Sequence, residues 1–445
     1  MPDRFSVACG VGEIEFEVPP GLDVVVLRPR TAAAIDLVNA AERALQEPIG
    51  SPPLSELARP GQKVCIVFTD ATRDVPDDIL VGALLRQLTR AGIRCEDILL
   101  LCGVGMHRPS TPQEKQAKLG AEIARGYRVL DSCATDRDAL VCLGDHDGVP
   151  LWVNRLAVGA DLLIATGVVE PHQYAGYSGG RKTVAVGAGG EDTIAATHSP
   201  AMIEREGVRL GNTEGNPFHE ALEESARRAG LRFIINVVRD AHGQVIAVAA
   251  GAPEAAFAHL VRQARPLYEV SLDRKFDIVV AGVGHPKDAN LYQASRAVTY
   301  VSLAPRQVLK PGGVVIVPAP CQEGVGQGLG EQRFAEAMSG AASAAGVVEA
   351  LKDKVTLAGE QRAYLLAKAL QDCRAIFVGA SNPADVRACH MTPCASMGEA
   401  LALARAWTRR DADVLVVPHS LLTVLRGPDE PTGVDAGTGG KLPCC

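Results

Sequence analysis

Short apolar runs rich in Val, Ile and Leu return along the chain, with helical stretches between them. Residues 63–68, 98–101, 161–165, 276–281, 313–317, 375–378 and 414–417 read as strands, and an alternation of strand and helix is the α/β pattern. After the first run, Ile79, Leu80, Ala83, Leu84 and Leu88 recur at helical spacing, which predicts a helix over 77–91 stopped by Gly92. Thr111-Pro112-Gln113-Glu114 is a capping box with proline in the first helical position, so another helix starts there. Residues 233–238 and 245–249 read as a hairpin, followed by a helix over 253–264. The helical pattern ends in 265–275. We therefore expect two α/β domains with the active site in the cleft between them: 1–268, and a Rossmann-like 269–426. The Gly- and Pro-rich stretch 427–445, ending in Cys444 and Cys445, is expected to be a flexible tail.

Composition narrows the function classes. At 445 residues the chain is long enough for two or three domains of ~150 residues. Its 45 basic and 52 acidic residues leave a net charge of −7 with no basic block, which argues against a nucleic-acid groove. No run approaches the ~18 apolar residues of a membrane span, and the first residues lack the apolar core of a signal peptide. The 12 cysteines are scattered without a Cys-x-x-Cys pair, so no zinc ribbon or dithiol motif is present. A cytoplasmic protein with no membrane and no nucleic-acid partner is expected.

Four loops follow strands and concentrate ionisable residues, and in open α/β sheets ligands bind at the carboxyl ends of strands. Asp70 and Arg73 lie in the first, where they could bind a hydroxyl and an anion; by themselves they read rather as a helix-capping aspartate and a solvated arginine. His107, after Gly103 and Gly105, is in the second, where a lone histidine is more often structural. The third is the richest, running from Glu170-Pro171-His172 through Tyr174, Gly176, Tyr177, Ser178, Gly179 and Gly180 to Arg181-Lys182-Thr183. Its end approaches a phosphate-binding P-loop but places Arg181 where the second glycine must be. A glycine-rich turn with Arg and Lys still offers backbone N–H groups and cations to a phosphate, and a lysine there is also a candidate for covalent attachment. His198 follows sixteen residues after Lys182, as either a metal ligand or a surface histidine. In the fourth loop Tyr292, Gln293 and Arg296 precede a helix; Gln293 and Arg296, three apart, share a face that can grip a carboxylate.

In this order the loops resemble the nickel-pincer-nucleotide lactate racemase family. The resemblance rests on Asp70-x-x-Arg73, Gly105-x-His107-Arg108-Pro109, Glu170-Pro171-His172 with Gly176 to Lys182, His198, and Tyr292-Gln293-Ala294. It implies a racemase or epimerase of 2-hydroxy acids, lactate or a related acid, working by reversible hydride transfer. The implied cofactor is a pyridinium thioamide/thiocarboxylate mononucleotide carrying nickel. By the resemblance, Lys182 is its covalent attachment point and His198 the protein ligand to nickel. His107 and His172 are implied as the acid/base pair. Asp70, Arg73, Ser178, Gly179 and Gly180 are implied near the cofactor, and Arg73, Tyr292, Gln293 and Arg296 near the substrate. The family has lysine where this chain has Arg296, a change that keeps the charge and alters its geometry. Implied partners are the small-molecule substrate and the enzymes that build the cofactor and insert nickel.

Two rivals stand beside this reading. A nicotinamide-dependent 2-hydroxy-acid dehydrogenase would need a Gly-x-Gly-x-x-Gly fingerprint between strand and helix, with an acidic residue downstream, and none is found. A non-catalytic binding protein of the same fold would not need Lys182, His107, His172 and His198 together.

Overall fold

In the computed structural model, residues 4–28 and 30–429 are described. They form two α/β halves, each around a six-stranded sheet. The first sheet runs Val245–Gly251, Leu231–Arg239, Leu162–Val168, Val64–Thr69, Ile98–Gly103, Arg128–Asp131 in space. All its pairs are parallel except the Val245–Gly251 edge, which forms the expected hairpin with Leu231–Arg239. Val64–Thr69 and Leu162–Val168 are buried at every residue, as central strands covered on both faces must be. The helix Asp77–Arg90 turns Leu80, Ala83, Leu84 and Leu88 inward and ends where Gly92 takes φ +83°. Thr111 and Glu114 form the reciprocal capping box on Pro112–Leu119.

Strand order sets the position of the site. The chain moves outward from Val64–Thr69 to Arg128–Asp131, then restarts on the other flank with Leu162–Val168. The segments leaving the carboxyl ends of these two adjacent strands therefore part in opposite directions and open a crevice.

The second sheet runs Thr392–Cys394, Arg374–Val378, Leu309–Pro318, Phe276–Ala281, Asp413–Val417, Asp23–Val26, all parallel. Its last strand corrects the expectation that 1–268 forms one domain. Asp23–Val26 pairs with Asp413–Val417, and the hairpin Arg4–Cys9/Gly12–Glu17 sends Val7 and Phe16 into one core with Ile278, Val314 and Val414. The N-terminal segment belongs to the second sheet because β pairing is non-local, whereas a boundary read from element succession is local. At the junction, Glu269–Ser271 pairs with Val424–Arg426, and Glu269 accepts hydrogen bonds from Tyr177 (3.1 Å) and Arg426 (3.2 Å). Among the described residues no helix is long and apolar enough to cross a membrane. Most of the expected tail, from residue 430 on and including Cys444 and Cys445, lies outside the described residues.

Candidate active site

The crevice is lined from the first sheet by the loops that follow Val64–Thr69, Ile98–Gly103 and Leu162–Val168. Asp70 opens the first and is 5% exposed. Its carboxylate accepts hydrogen bonds from the Thr72 hydroxyl (2.7 Å) and contacts His107 Nδ1 at 2.6 Å. Burial opposes ionisation of Asp70, but the His107 ring and the Thr72 hydroxyl outweigh it and hold the carboxyl down at about 2. The ionised Asp70 keeps the His107 proton on Nδ1 and leaves Nε2 as the ring's acceptor. His107 itself is partly exposed. Its neighbour Arg108 is turned to Glu114 of the following helix. From that helix Lys118 ties the Asp70–Arg73 loop down, donating to the Arg73 and Val75 carbonyls (2.9 and 2.8 Å) and pairing with the fully buried Asp77 at 2.9 Å.

After Leu162–Val168 the chain folds back on itself, Pro171–His172 pairing with Gly176–Tyr177. Gly176 has φ +75°, and a Cβ there would lie 2.0 Å from the Asn212 carbonyl oxygen, so only glycine closes this turn. The His172 Nδ1 accepts the amides of Ala175 (3.1 Å) and Tyr174 (3.4 Å), which assigns its proton to Nε2. Burial, then the charges of Lys182 and Arg296, push its pKa well below the usual histidine value. Ser178 donates to the Val168 carbonyl at 2.6 Å and so braces the hairpin. Gly180–Lys182 starts a helix that continues as a π-helical turn, Thr183–Gly187. Close packing explains the glycines: a Cβ on Gly167 would sit 2.7 Å from the Gly180 amide, and one on Gly179 2.8 Å from Phe257.

The expectation that Arg181 and Lys182 both face a phosphate is corrected. Successive residues at a helix start point in different directions. Arg181 runs over the Phe257 ring (3.7 Å) to Glu223 and His219, away from the crevice. Lys182 is among the site's charges: burial, then Arg73 and Arg296, bring its amine down to about 7. His198 ends the helix Glu191–Thr197 with Nδ1 2.9 Å from the Ile194 carbonyl. That bond takes the Nδ1 proton and leaves the Nε2 lone pair free. The ring is packed edge-on to Phe218 (4.9 Å) and Tyr174 (5.3 Å), and burial, then Lys182, lower its pKa to about 3. It is therefore a neutral imidazole. Among the described residues no group of three or more His, Cys, Asp or Glu is placed to hold a metal, so a metal on His198 would take its other ligands from outside the chain.

The second half supplies Tyr292 and Gln293 from Leu291–Ala294, and Arg296 from Arg296–Ser302. Arg296 is 7% exposed; it donates to the Tyr300 hydroxyl at 2.7 Å and to Gln293 at 3.4 Å. Tyr300 in turn donates to the Pro171 carbonyl at 3.3 Å, fixing the two halves to each other at the hairpin. The sequence reading missed Glu170 as a charge bridge: it lies 3.7 Å from Arg73 and 3.9 Å from Lys287 of the second half. Burial opposes its charge, but Lys287 and Arg73 keep it ionised. Arg362 was missed as well. Arg362 Nη1 donates to Gln173 Oε1 at 2.8 Å.

Comparison with known proteins finds lactate racemases along most of the chain. The lactate racemase N-terminal domain profile matches residues 9–211, and the lactate racemase C-terminal domain profile residues 272–425. The chain is 30% identical over 430 residues to the lactate racemase of Thermoanaerobacterium thermosaccharolyticum, covering 95% of this chain and 99% of that one. It is 33% identical over 391 residues to the lactate racemase of Lactiplantibacillus plantarum, covering 87% and 91%. The structure of the T. thermosaccharolyticum lactate racemase apoprotein superimposes with a TM-score of 0.87 at 29% identity, over 95% of this chain and 100% of that one.

Proposed function

This chain belongs to the lactate racemase family, and we infer that it racemises lactate or a related 2-hydroxy acid with a nickel-pincer nucleotide attached to Lys182. It is an isomerase of the racemase kind. One observation carries the cofactor reading: a half-buried amine brought down to about 7 shares a site with an imidazole whose Nδ1 is tied to backbone, leaving Nε2 as a ligand atom. A neutral imidazole suits nickel, and ligands from a cofactor would supply what the chain lacks. The test is intact-mass and metal analysis of protein co-expressed with cofactor-building and nickel-inserting enzymes. An adduct with bound nickel is expected; neither would remove the reading.

The nucleotide, when bound, supplies a reversible hydride acceptor, which spares the enzyme a carbanion beside a carboxylate. The chain's own residues do the rest. Arg296 and Gln293 hold the substrate carboxylate through the guanidinium's parallel donors. His107 takes the hydroxyl proton at Nε2, and the ionised Asp70 stabilises the resulting imidazolium. A planar 2-oxo acid, still held by its carboxylate, rotates and presents its other face. On that face the neutral His172 offers its Nε2–H to the oxygen as a hydrogen bond, and the proton that restores the hydroxyl is the one held by the His107 imidazolium. Tyr174, Phe218 and Tyr300 are all buried, keeping water from the reacting carbon.

Two outcomes follow here. His198→Ala is expected to lose most of its nickel per adduct while the mass of the attached nucleotide remains, because the lysine bond does not involve the imidazole; full metal content with full activity would overturn the ligand role. Arg296→Ala is expected to lower kcat/KM roughly 100-fold, mostly through KM, since a charge-assisted contact made throughout the reaction is lost. Arg296→Lys recovers part of that and shifts the ranking of 2-hydroxy acids in a chiral assay. An unchanged ranking with near-normal rates in Arg296→Ala would show that this arginine does not hold the carboxylate.

A further inference from the structure

Arg362 opens the helix Glu360–Asp372, two residues into its first turn, and is 6% exposed. One of its donors is used, on Gln173, the residue between His172 and Tyr174. Its guanidinium lies 5.6 Å from the centre of the Tyr292 ring, next to Gln293. Arg296 reaches the same hairpin from the other helix, through Tyr300 and the Pro171 carbonyl. Neither guanidinium has a carboxylate in ion-pair contact among the described residues, and the Nε of each is buried without a partner. The Tyr174 hydroxyl is orphaned too, and the charges of Arg362 and Arg296 both act on it. Buried donors without acceptors mark where ligand oxygens belong, and buried charges are retained where an anion compensates them. A monocarboxylate satisfies one arginine only.

We propose that Arg362 is a second anion anchor and that the preferred substrates are 2-hydroxy acids bearing a second acidic group. This rests on the racemase reading for the reaction, but the binding it claims needs no cofactor.

The test is calorimetric titration of the apoprotein and of the nickel-loaded protein with L-malate and L-lactate, with racemisation of both measured on the loaded protein. Malate is expected to bind about tenfold or more tightly than lactate. Arg362→Met is expected to reduce the malate-to-lactate ratio about 10- to 100-fold in affinity and in kcat/KM, and Arg362→Lys to restore part of it. Equal affinities in the unaltered protein would overturn the proposal. So would an equal loss for both ligands, which marks Arg362 as a brace for Gln173, or a fall in adduct yield, which assigns it to the cofactor. A protein that binds malate preferentially but carries no adduct would leave the anchor standing and remove the racemase reading.

Discussion

Lys182→Ala protein, co-expressed with the maturation enzymes, is expected to carry no covalent adduct and to show no detectable racemisation, while unfolding like the unaltered apoprotein or at slightly higher temperature. The side chain contributes charge to the site and little to the core, and its removal takes away a cation that burial disfavours. Lysine attacks only as the free amine. With its pKa near 7, about half of Lys182 is neutral at pH 7, against well under 1% of an ordinary lysine. Loading of apoprotein should accordingly rise with pH through about 7 and then level off. The sign for stability follows from the same shift. Between about 7 and 10.5 the unfolded state binds more protons at this residue, so the apoprotein gains stability as pH rises across that window. Lys182→Met should be more stable than the unaltered apoprotein at pH 6, with the difference closing toward pH 10. An adduct persisting in Lys182→Ala, seen by intact mass, would place the attachment elsewhere.

The second large effect belongs to Asp70. Asp70→Asn keeps the size of the side chain but can present an amide N–H to His107 Nδ1, which favours the tautomer with its proton on Nε2 and leaves no base toward the substrate. A fall in kcat of about 10³- to 10⁴-fold is expected, with KM and adduct mass nearly unchanged. A similar fall for His107→Gln, without a further fall in the double variant, would show that the two act as a unit. The buried carboxylate also has a stability signature. The carboxyl titrates at about 2 when folded against 3.8 in an unfolded chain, so its contribution is full above about 4 and is lost as pH falls through about 2. The stability gap between the two proteins should therefore be flat at neutral pH and vanish in acid. Full activity in Asp70→Asn would remove Asp70 from the proton path.

What the sequence disclosed, and what it withheld, follows from how each feature is encoded. Val64–Thr69 and Leu162–Val168 are legible because strands buried on both faces must be continuously apolar. Asp70, His107 and His172 could be picked out as candidates because each lies a few residues beyond a strand end, where a ligand crevice opens. The direction of Arg181 was not legible, since a helical start sends neighbouring side chains apart and nothing local says which faces the ligand. Arg362 was hidden differently, inside a helix far along the chain. Its trace was a charge on an otherwise apolar face, with Leu365, Leu366 and Ala369 at three, four and seven residues' distance. Glu170 stood in plain sight within the motif, but its function as a bridge depends on Lys287, which only the second sheet brings near.

The strand Asp23–Val26 also fixes an order of events during synthesis. It leaves the ribosome long before its neighbour Asp413–Val417. The first sheet, by contrast, has all its strands once residue 251 has emerged. It can form while the chain is still growing, whereas the other must wait with its opening strand unpaired. A polypeptide interrupted before residue 413 would carry a finished first sheet, the lysine at 182 included, and a second sheet with a bare edge open to other chains. The pairing of Asp23–Val26 with Asp413–Val417 thus closes the sheet that brings Arg296 to the site only once residue 417 has been made.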